Sequence, residues 1–354
     1  MEMGILGFAK AGKTTLFNLL TASRRETGKF TAATKANVGV ATVPDQRLEK
    51  LRDLFQPRRY VPATVSFVDI PGIRTGESAE SLDLARLREA DALMHVVRAF
   101  ADEEIPHSEG SVDPARDVET LDLELIVADM DLVGRRIERL DKARKRGLSR
   151  GEEIERDLLA ETILPALEGE TPVRELSLDG DQEKRLRGFQ LLSAKPMVVA
   201  LNVDEERLAQ ADAAALGIRD GVPALVVSAL IEEEIARLDG DEQAEFLAEL
   251  GLSEPSVNRV IRASYEILGL ISFFTVGEDE VRAWTIRRGT DARRAAGAIH
   301  SDLERGFIRA EVVPWGDLVR LGTLAACRQE GVLRLEGKSY VAQDGDVIHI
   351  RSGI

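Results

Sequence analysis

The chain has 354 residues, 44% of them apolar and 31% charged, enough to bury a core in each of two or three domains. Its net charge of -15 argues against broad, nonspecific binding of DNA or RNA, and no apolar run approaches the roughly 20 residues of a membrane-crossing helix. A single cysteine, Cys327, excludes an internal disulfide, and the first apolar run begins too early for a signal peptide, so a cytoplasmic protein is expected.

Residues 3–6 are a short apolar run that reads as a strand. It ends in Gly7-Phe8-Ala9-Lys10-Ala11-Gly12-Lys13-Thr14, which fits G-x-x-x-x-G-K-[ST]. Such a loop wraps phosphates in backbone N–H groups, sets a lysine on the β and γ oxygens and offers a hydroxyl to Mg²⁺. The helix expected over 13–20 turns its positive end to the same place. Gly7, Lys10, Ala11, Gly12, Lys13, Thr14 and Thr15 are therefore the phosphate-binding candidates, with Thr14 a metal ligand.

Residues 21–37 read as a polar, mobile loop, followed by a strand at 38–43, a helix at 45–55 and a strand at 64–69. The last strand ends in Asp69-Ile70-Pro71-Gly72. A carboxylate at a strand tip followed by a glycine suits a Mg²⁺ water shell at Asp69 and a γ-phosphate-sensing N–H at Gly72. A helix at 82–89 and a buried strand at 92–97 come next, with His95 read as a core histidine. Residues 101–116 form a polar hinge, and from about Asp117 a long helix begins. Leu123, Ile126, Met130, Val133, Ile137 and Leu140 follow the 3-and-4 spacing of a coiled-coil hairpin, returning through a turn at 145–151 and a helix at 152–167.

Strands at 197–201 and 224–227 end at Asn202 and Ser228-Ala229. Alternating strands and helices predict a mostly parallel sheet with its ligand at the carboxyl ends of the strands, where Lys13, Asp69, Asn202 and Ser228 all fall. Asn202-Val203-Asp204-Glu205 stands where a guanine site has N-K-x-D. Val203 replaces the lysine that covers the base, and Glu205 replaces the aspartate that receives guanine N1–H and N2–H₂. One extra methylene displaces that carboxylate by more than a hydrogen bond tolerates, which predicts lost guanine preference. Asn202 has a second possible role, capping a helix that starts near Asp204.

These residues resemble the YchF-type Obg-like ATPases over nearly the whole chain. The resemblance rests on N-x-x-E in place of N-K-x-D, on 112–140 as a first arm helix, on 250–270 as a connection, and on 273–312 with 344–350 as a TGS module. It implies a P-loop NTPase domain with an inserted α-helical coiled-coil arm and a C-terminal β-grasp TGS domain. The expected boundaries are 1–110 with 190–271, then 111–189, then 272–354. It also implies ATP and Mg²⁺ as ligands, slow hydrolysis, and the ribosome or translation machinery as partner, with the arm and the TGS face as contacts. Seven arginines between 282 and 309 make that face a candidate for RNA.

An apolar residue, Ile73, stands where Ras-like enzymes carry the water-orienting glutamine. The resemblance makes His107, in the hinge, the candidate for positioning water instead. Three departures bear on turnover more than on binding. Ala9-Lys10 replaces the family's Pro-Asn, the spacing of Thr34 and Asn37 is one residue short, and the segment after Gly72 is shorter. Thr34 remains a third candidate metal ligand beside Thr14 and Asp69, with Thr31 as competitor. A GTPase of the Obg group, or a nucleotide-binding scaffold without significant hydrolysis, are the alternatives.

Overall fold

The computed structural model describes residues 1–22, 37–70, 84–102, 104–107, 109–208 and 212–353, and its contacts divide the chain into two units, Met1–Gly39 with Ser66–Val260 and Val40–Val65 with Ile261–Ile354. The N-terminal elements are β1 (Glu2–Leu6), α1 (Lys13–Thr21), β2 (Asn37–Thr42), α2 (Gln46–Phe55), β3 (Arg59–Val61), β4 (Thr64–Asp69), α3 (Leu84–Glu89) and β5 (Ala92–Arg98). The arm follows as α4 (Pro114–Arg144), α5 (Arg150–Leu158), a π-turn at Leu159–Ile163, α6 (Leu164–Glu168) and α7 (Gly180–Leu186). The chain returns through β6 (Met197–Asn202), α8 (Glu205–Leu208), β7 (Ala224–Val227), α9 (Ala229–Ile235), α10 (Gly240–Glu249) and α11 (Ser256–Ile267).

The first unit is built on a sheet of order β2-β4-β1-β5-β6-β7, in which β4, β1, β5, β6 and β7 all run parallel. Parallel strands need helices on both faces, so their sequences are continuous apolar runs, and every residue of β5 and β6 is buried. This architecture sets the carboxyl ends of β1, β4 and β6 at one edge of the sheet.

Helix α4 begins three residues before the expected Asp117. Asp113 is its N-cap, accepting from Arg116 N–H at 3.1 Å, and Pro114 occupies the first turn, where its missing N–H is harmless. The helix serves two cores. Leu121, Leu125 and Ala128 pack against the sheet with Leu6, Leu93 and Leu192. Higher up, Ile126, Met130, Val133 and Ile137 meet Leu158, Leu159, Ile163 and Leu167 of the returning helix. Leu123, the first member of the predicted stripe, is 38% exposed instead. A strict heptad assumes one partner along the whole helix, and here the partner changes, so the buried face rotates. Asp129 fixes the changeover. Fully buried, it accepts from Leu192 N–H at 3.0 Å, from Ser193 N–H at 2.7 Å and from Arg88 at 3.0 Å.

The second unit adds β8 (Leu270–Thr275), β9 (Glu280–Arg287), α12 (Ala292–Ile299), α13 (Ser301–Arg305), β10 (Phe307–Pro314), α14 (Trp315–Leu321), α15 (Leu324–Gln329), β11 (Arg334–Glu336) and β12 (Asp346–Ser352). Its sheet has the order β11-β10-β12-β8-β9-β3, with β12 parallel to β8 between antiparallel neighbours. Ala292, Ala295 and Ala296 of α12 carry little bulk, so the helix lies close to Ile271, Phe273 and Ile348, as a β-grasp requires. Strand β3 extends this sheet in parallel with β9, and Arg47 of α2 bridges Asp45 and Asp344 at 2.8 Å each. Of the seven arginines between 282 and 309, Arg294 and Arg305 pair with Asp291 and Asp302, and Arg282 lies 4.0 Å from the Trp284 ring centroid. No helix among the described residues is long and apolar enough to cross a membrane.

His95 is fully buried on β5, as the sequence suggests, but neither ring nitrogen has a hydrogen-bond partner among the described residues. Burial, with the nearby charges of Lys13 and Arg174, pushes its imidazole down to about 3. Below the ordinary histidine value the unfolded chain takes up a proton that the folded chain refuses. Stability therefore falls as the pH drops from about 6.5 towards 3, by up to about 1.4 kcal/mol per unit from this residue. Urea unfolding at pH 7 and pH 5 should show the parent chain losing more stability than His95→Leu, by on the order of 2 kcal/mol. Equal losses would remove His95 from the account.

Candidate functional site

The loop from Gly7 to Thr14 can be made only with glycine at two of its positions. Gly7 has φ 145°, and a Cβ there would lie 2.3 Å from the Val96 carbonyl oxygen. Gly12 has φ 95°, and a Cβ there would lie 2.4 Å from Asn202 Nδ2. Both conformations disfavour an L side chain even before those contacts. Lys10 also takes a positive φ, 65°, which is more favourable for asparagine than for lysine. Gly12 is the N-cap of α1 and supplies no side-chain cap, so the first N–H groups of that helix are left to an external acceptor. Ala11 is buried, and Thr15 sits half-buried on the first turn.

Lys13 is 7% exposed and donates from Nζ to Gly7 O at 3.0 Å and Phe8 O at 2.7 Å. Burial pushes its ammonium down to about 8, with Asp69 opposing and Lys10 reinforcing that shift. Thr14 Oγ1 donates to Asp69 Oδ2 at 3.0 Å, so the structure brings together the two metal-ligand candidates from strand end and helix start. One hydroxyl and one carboxylate suit Mg²⁺, which takes its remaining ligands from water and phosphate. Thr31, Thr34, Gly72 and Ile73 lie outside the described residues.

At the end of β6, Asn202 is 5% exposed and works as a clamp. Its Nδ2 donates to Ala11 O at 3.1 Å and its Oδ1 accepts from Ala229 N–H at 3.0 Å, tying the phosphate loop to the start of α9. The helix-capping role falls to Asp204, whose Oδ1 accepts from Arg207 N–H at 3.1 Å. An amide nitrogen has two hydrogens, so Asn202 keeps one for a base. Val203 is 2% exposed and packs with Ala99, Leu208, Ile231 and Ile235; its side chain is committed to the core. Glu205 is exposed on the first turn of α8. Ser228 is fully buried, and its Oγ has no partner among the described residues. A buried hydroxyl in that state fits a ligand group.

His107 does not lie free in the hinge. Its Nε2 is 2.9 Å from Asp117 Oδ2 on α4, and its Nδ1 accepts from Glu109 N–H at 3.1 Å. Sequence reasoning also missed Arg98, at the end of β5. It donates to the carbonyls of Phe100, Asp102 and Ile105 and thereby shapes the segment before His107. An arginine closing an otherwise apolar strand was the available signal.

Two family models match the chain. One, of the C-terminal domain of YchF GTPases and described as a protein of unknown function, covers residues 270–353. The other, described as a 50S ribosome-binding GTPase, covers residues 2–133. The chain is 43% identical to the ribosome-binding ATPase YchF of Bacillus subtilis (strain 168), with all of both chains covered. It is 42% identical to the protein of that name from Pasteurella multocida (strain Pm70), covering 100% of this chain and 99% of the relative. Among solved structures, the YchF GTPase of Schizosaccharomyces pombe superposes with a TM-score of 0.86 at 30% identity, covering 99% of this chain and 97% of that one.

Burial holds the Lys13 ammonium down to about 8, and a polyphosphate bound beside it would raise that value, so nucleotide binding there would take up a proton above that pH. Affinity should fall by up to about tenfold per unit above pH 8, and calorimetry in buffers of different ionisation heat would detect the proton. Lys13→Gln should bind more weakly with a flat profile from pH 7 to 9.5. The same slope in that variant would assign the effect to another group.

Proposed function

The chain belongs to the YchF family, and from that premise we propose that it binds ATP with Mg²⁺, hydrolyses it slowly, and works as a conformational switch on the ribosome in the cytoplasm. The curated relatives are named ribosome-binding ATPases. The observation that carries the reading is the convergence at one edge of the parallel sheet of Lys13, the Thr14–Asp69 pair and the Asn202 clamp beside the buried Ser228 hydroxyl.

In this reading Lys13 exchanges two loop carbonyls for β and γ oxygens and brings its positive charge to the transferring group. Thr14 and Asp69 would hold Mg²⁺, the aspartate through water, and the ion when bound neutralises phosphate charge. Asn202 directs its spare N–H at the base, and Glu205 in place of an aspartate disfavours guanine. Gly72 supplies the N–H that senses the γ-phosphate. The work is positioning and charge stabilisation, so turnover stays slow without a partner. His107 is the candidate for orienting water. In the conformation described, both its nitrogens are engaged at the root of α4, so hydrolysis requires Asp117 to release it.

A nucleotide panel measured for binding and phosphate release, with and without ribosomes, tests the reading. ATP should bind at least tenfold more tightly than GTP; the reverse order makes the protein a GTPase of the same fold. Phosphate release indistinguishable from a Lys13→Ala control would make it a scaffold that binds without turning over. His107→Ala should lower turnover at least tenfold with ATP affinity unchanged, and unaltered turnover would leave His107 as an anchor of the hinge.

A further inference from the structure

The turn between α4 and α5 concentrates positive charge on an acidic protein. Between residues 139 and 150 stand Arg139, Lys142, Arg144, Lys145, Arg146 and Arg150, against Asp141 alone, in a chain of net charge -15. All six cations are exposed. Lys142 reaches Glu138 at 3.8 Å, whereas the other five have no acidic partner among the described residues. Elsewhere on the same hairpin the arginines are paired: Arg135 with Asp131, Arg136 with Glu155, and Arg156 with Asp141.

Helix electrostatics explain only part of this. Lys142 and Arg144 lie in the last turn of α4, where cations complement the helix dipole. Arg150 is the first residue of α5, where a cation opposes it. The turn is also held in one shape. Gly147 takes φ 94°, and a capping box joins Ser149 and Glu152, with Ser149 N–H donating to Glu152 at 2.9 Å. With 31 residues, α4 carries this charge about 45 Å from its own start.

We propose that this turn is a docking tip for the phosphate backbone of RNA, formed by Arg144, Lys145, Arg146 and Arg150. It deepens, and rests on, the ribosome reading above. Four of the six cations are arginines, whose planar guanidinium matches phosphate oxygens in pairs. The segment has no aromatic residue to stack on bases and no exposed apolar residue to enter a membrane, so its contacts are electrostatic and independent of base sequence. Unpaired charges need not break internal ion pairs before they bind.

The test compares the parent chain with a variant carrying Arg144→Gln, Lys145→Gln, Arg146→Gln and Arg150→Gln. A control of equal charge neutralises four paired side chains, with Arg52→Gln, Arg135→Gln, Arg185→Gln and Arg320→Gln. The probes are purified ribosomes, a short RNA duplex and phosphatidylglycerol vesicles, each over a series of KCl concentrations, with ATP affinity as the check on folding. The tip variant should bind ribosomes and duplex at least tenfold more weakly. Its slope of log K against log salt should be shallower by up to about 3, while the control stays near the parent. A tip variant with the parent's affinity and slope overturns the proposal and leaves the ribosome reading standing. Tip-dependent binding of duplex without binding of ribosomes supports the tip and removes the ribosome reading. A parent that holds neither, or that binds vesicles and not RNA, overturns the tip.

Discussion

The amide of Asn202 is the contact on which the nucleotide site depends. A phosphate loop is a strained excursion of backbone, here with positive φ at Gly7, Lys10 and Gly12 in a stretch of six residues, and such a conformation persists only when its surroundings specify it. Asn202 reaches from β6 to the Ala11 carbonyl and, with its other end, takes the Ala229 N–H. One side chain therefore sets the distance between the Gly7–Thr14 loop and the start of α9. The space for it exists because residue 12 has no Cβ, so the glycine of the motif serves the clamp as well as the ligand.

The same economy governs the root of the arm. Helix α4 is shared between the core of the sheet and the core of the hairpin, and Asp129, buried where one gives way to the other, satisfies two backbone N–H groups and an arginine. A buried carboxylate with this many donors tolerates few alternative arrangements. At the start of the same helix the hinge is stapled by Arg98 and latched by His107 on Asp117. A change near the phosphates that released this latch would be felt at the first turn of a helix about 45 Å long.

Charge is distributed in a way that composition conceals. Net acidity is compatible with a local positive end, because fields between exposed groups are screened within about 8 to 10 Å at ordinary salt. The arginines of and just after helix α12 are partly neutralised by adjacent aspartates, whereas those at the turn of the arm form no ion pair among the described residues. Beneath the phosphate loop the opposite strategy holds, with Lys13 and His95 buried and both driven towards their neutral forms.

The sequence by itself determined the phosphate loop, the parallel sheet and the helical arm, each written in short-range pattern, whereas the C-terminal module was legible through its resemblance to a known family. Glycine spacing, apolar runs of five or six residues and helical periodicity are properties of neighbours in the chain. The tertiary structure alone decided where side chains of the site turn. Asn202 clamps instead of capping, Val203 joins a core, His107 is held by Asp117, and Ser228 Oγ is buried without a partner among the described residues. It likewise decided that Leu123 faces solvent and that β3 pairs with β9, more than 200 residues away. Each of these depends on which distant surface a residue meets. A periodic pattern shows that a helix has an apolar face, but the partners that occupy that face are set only when the whole chain has packed.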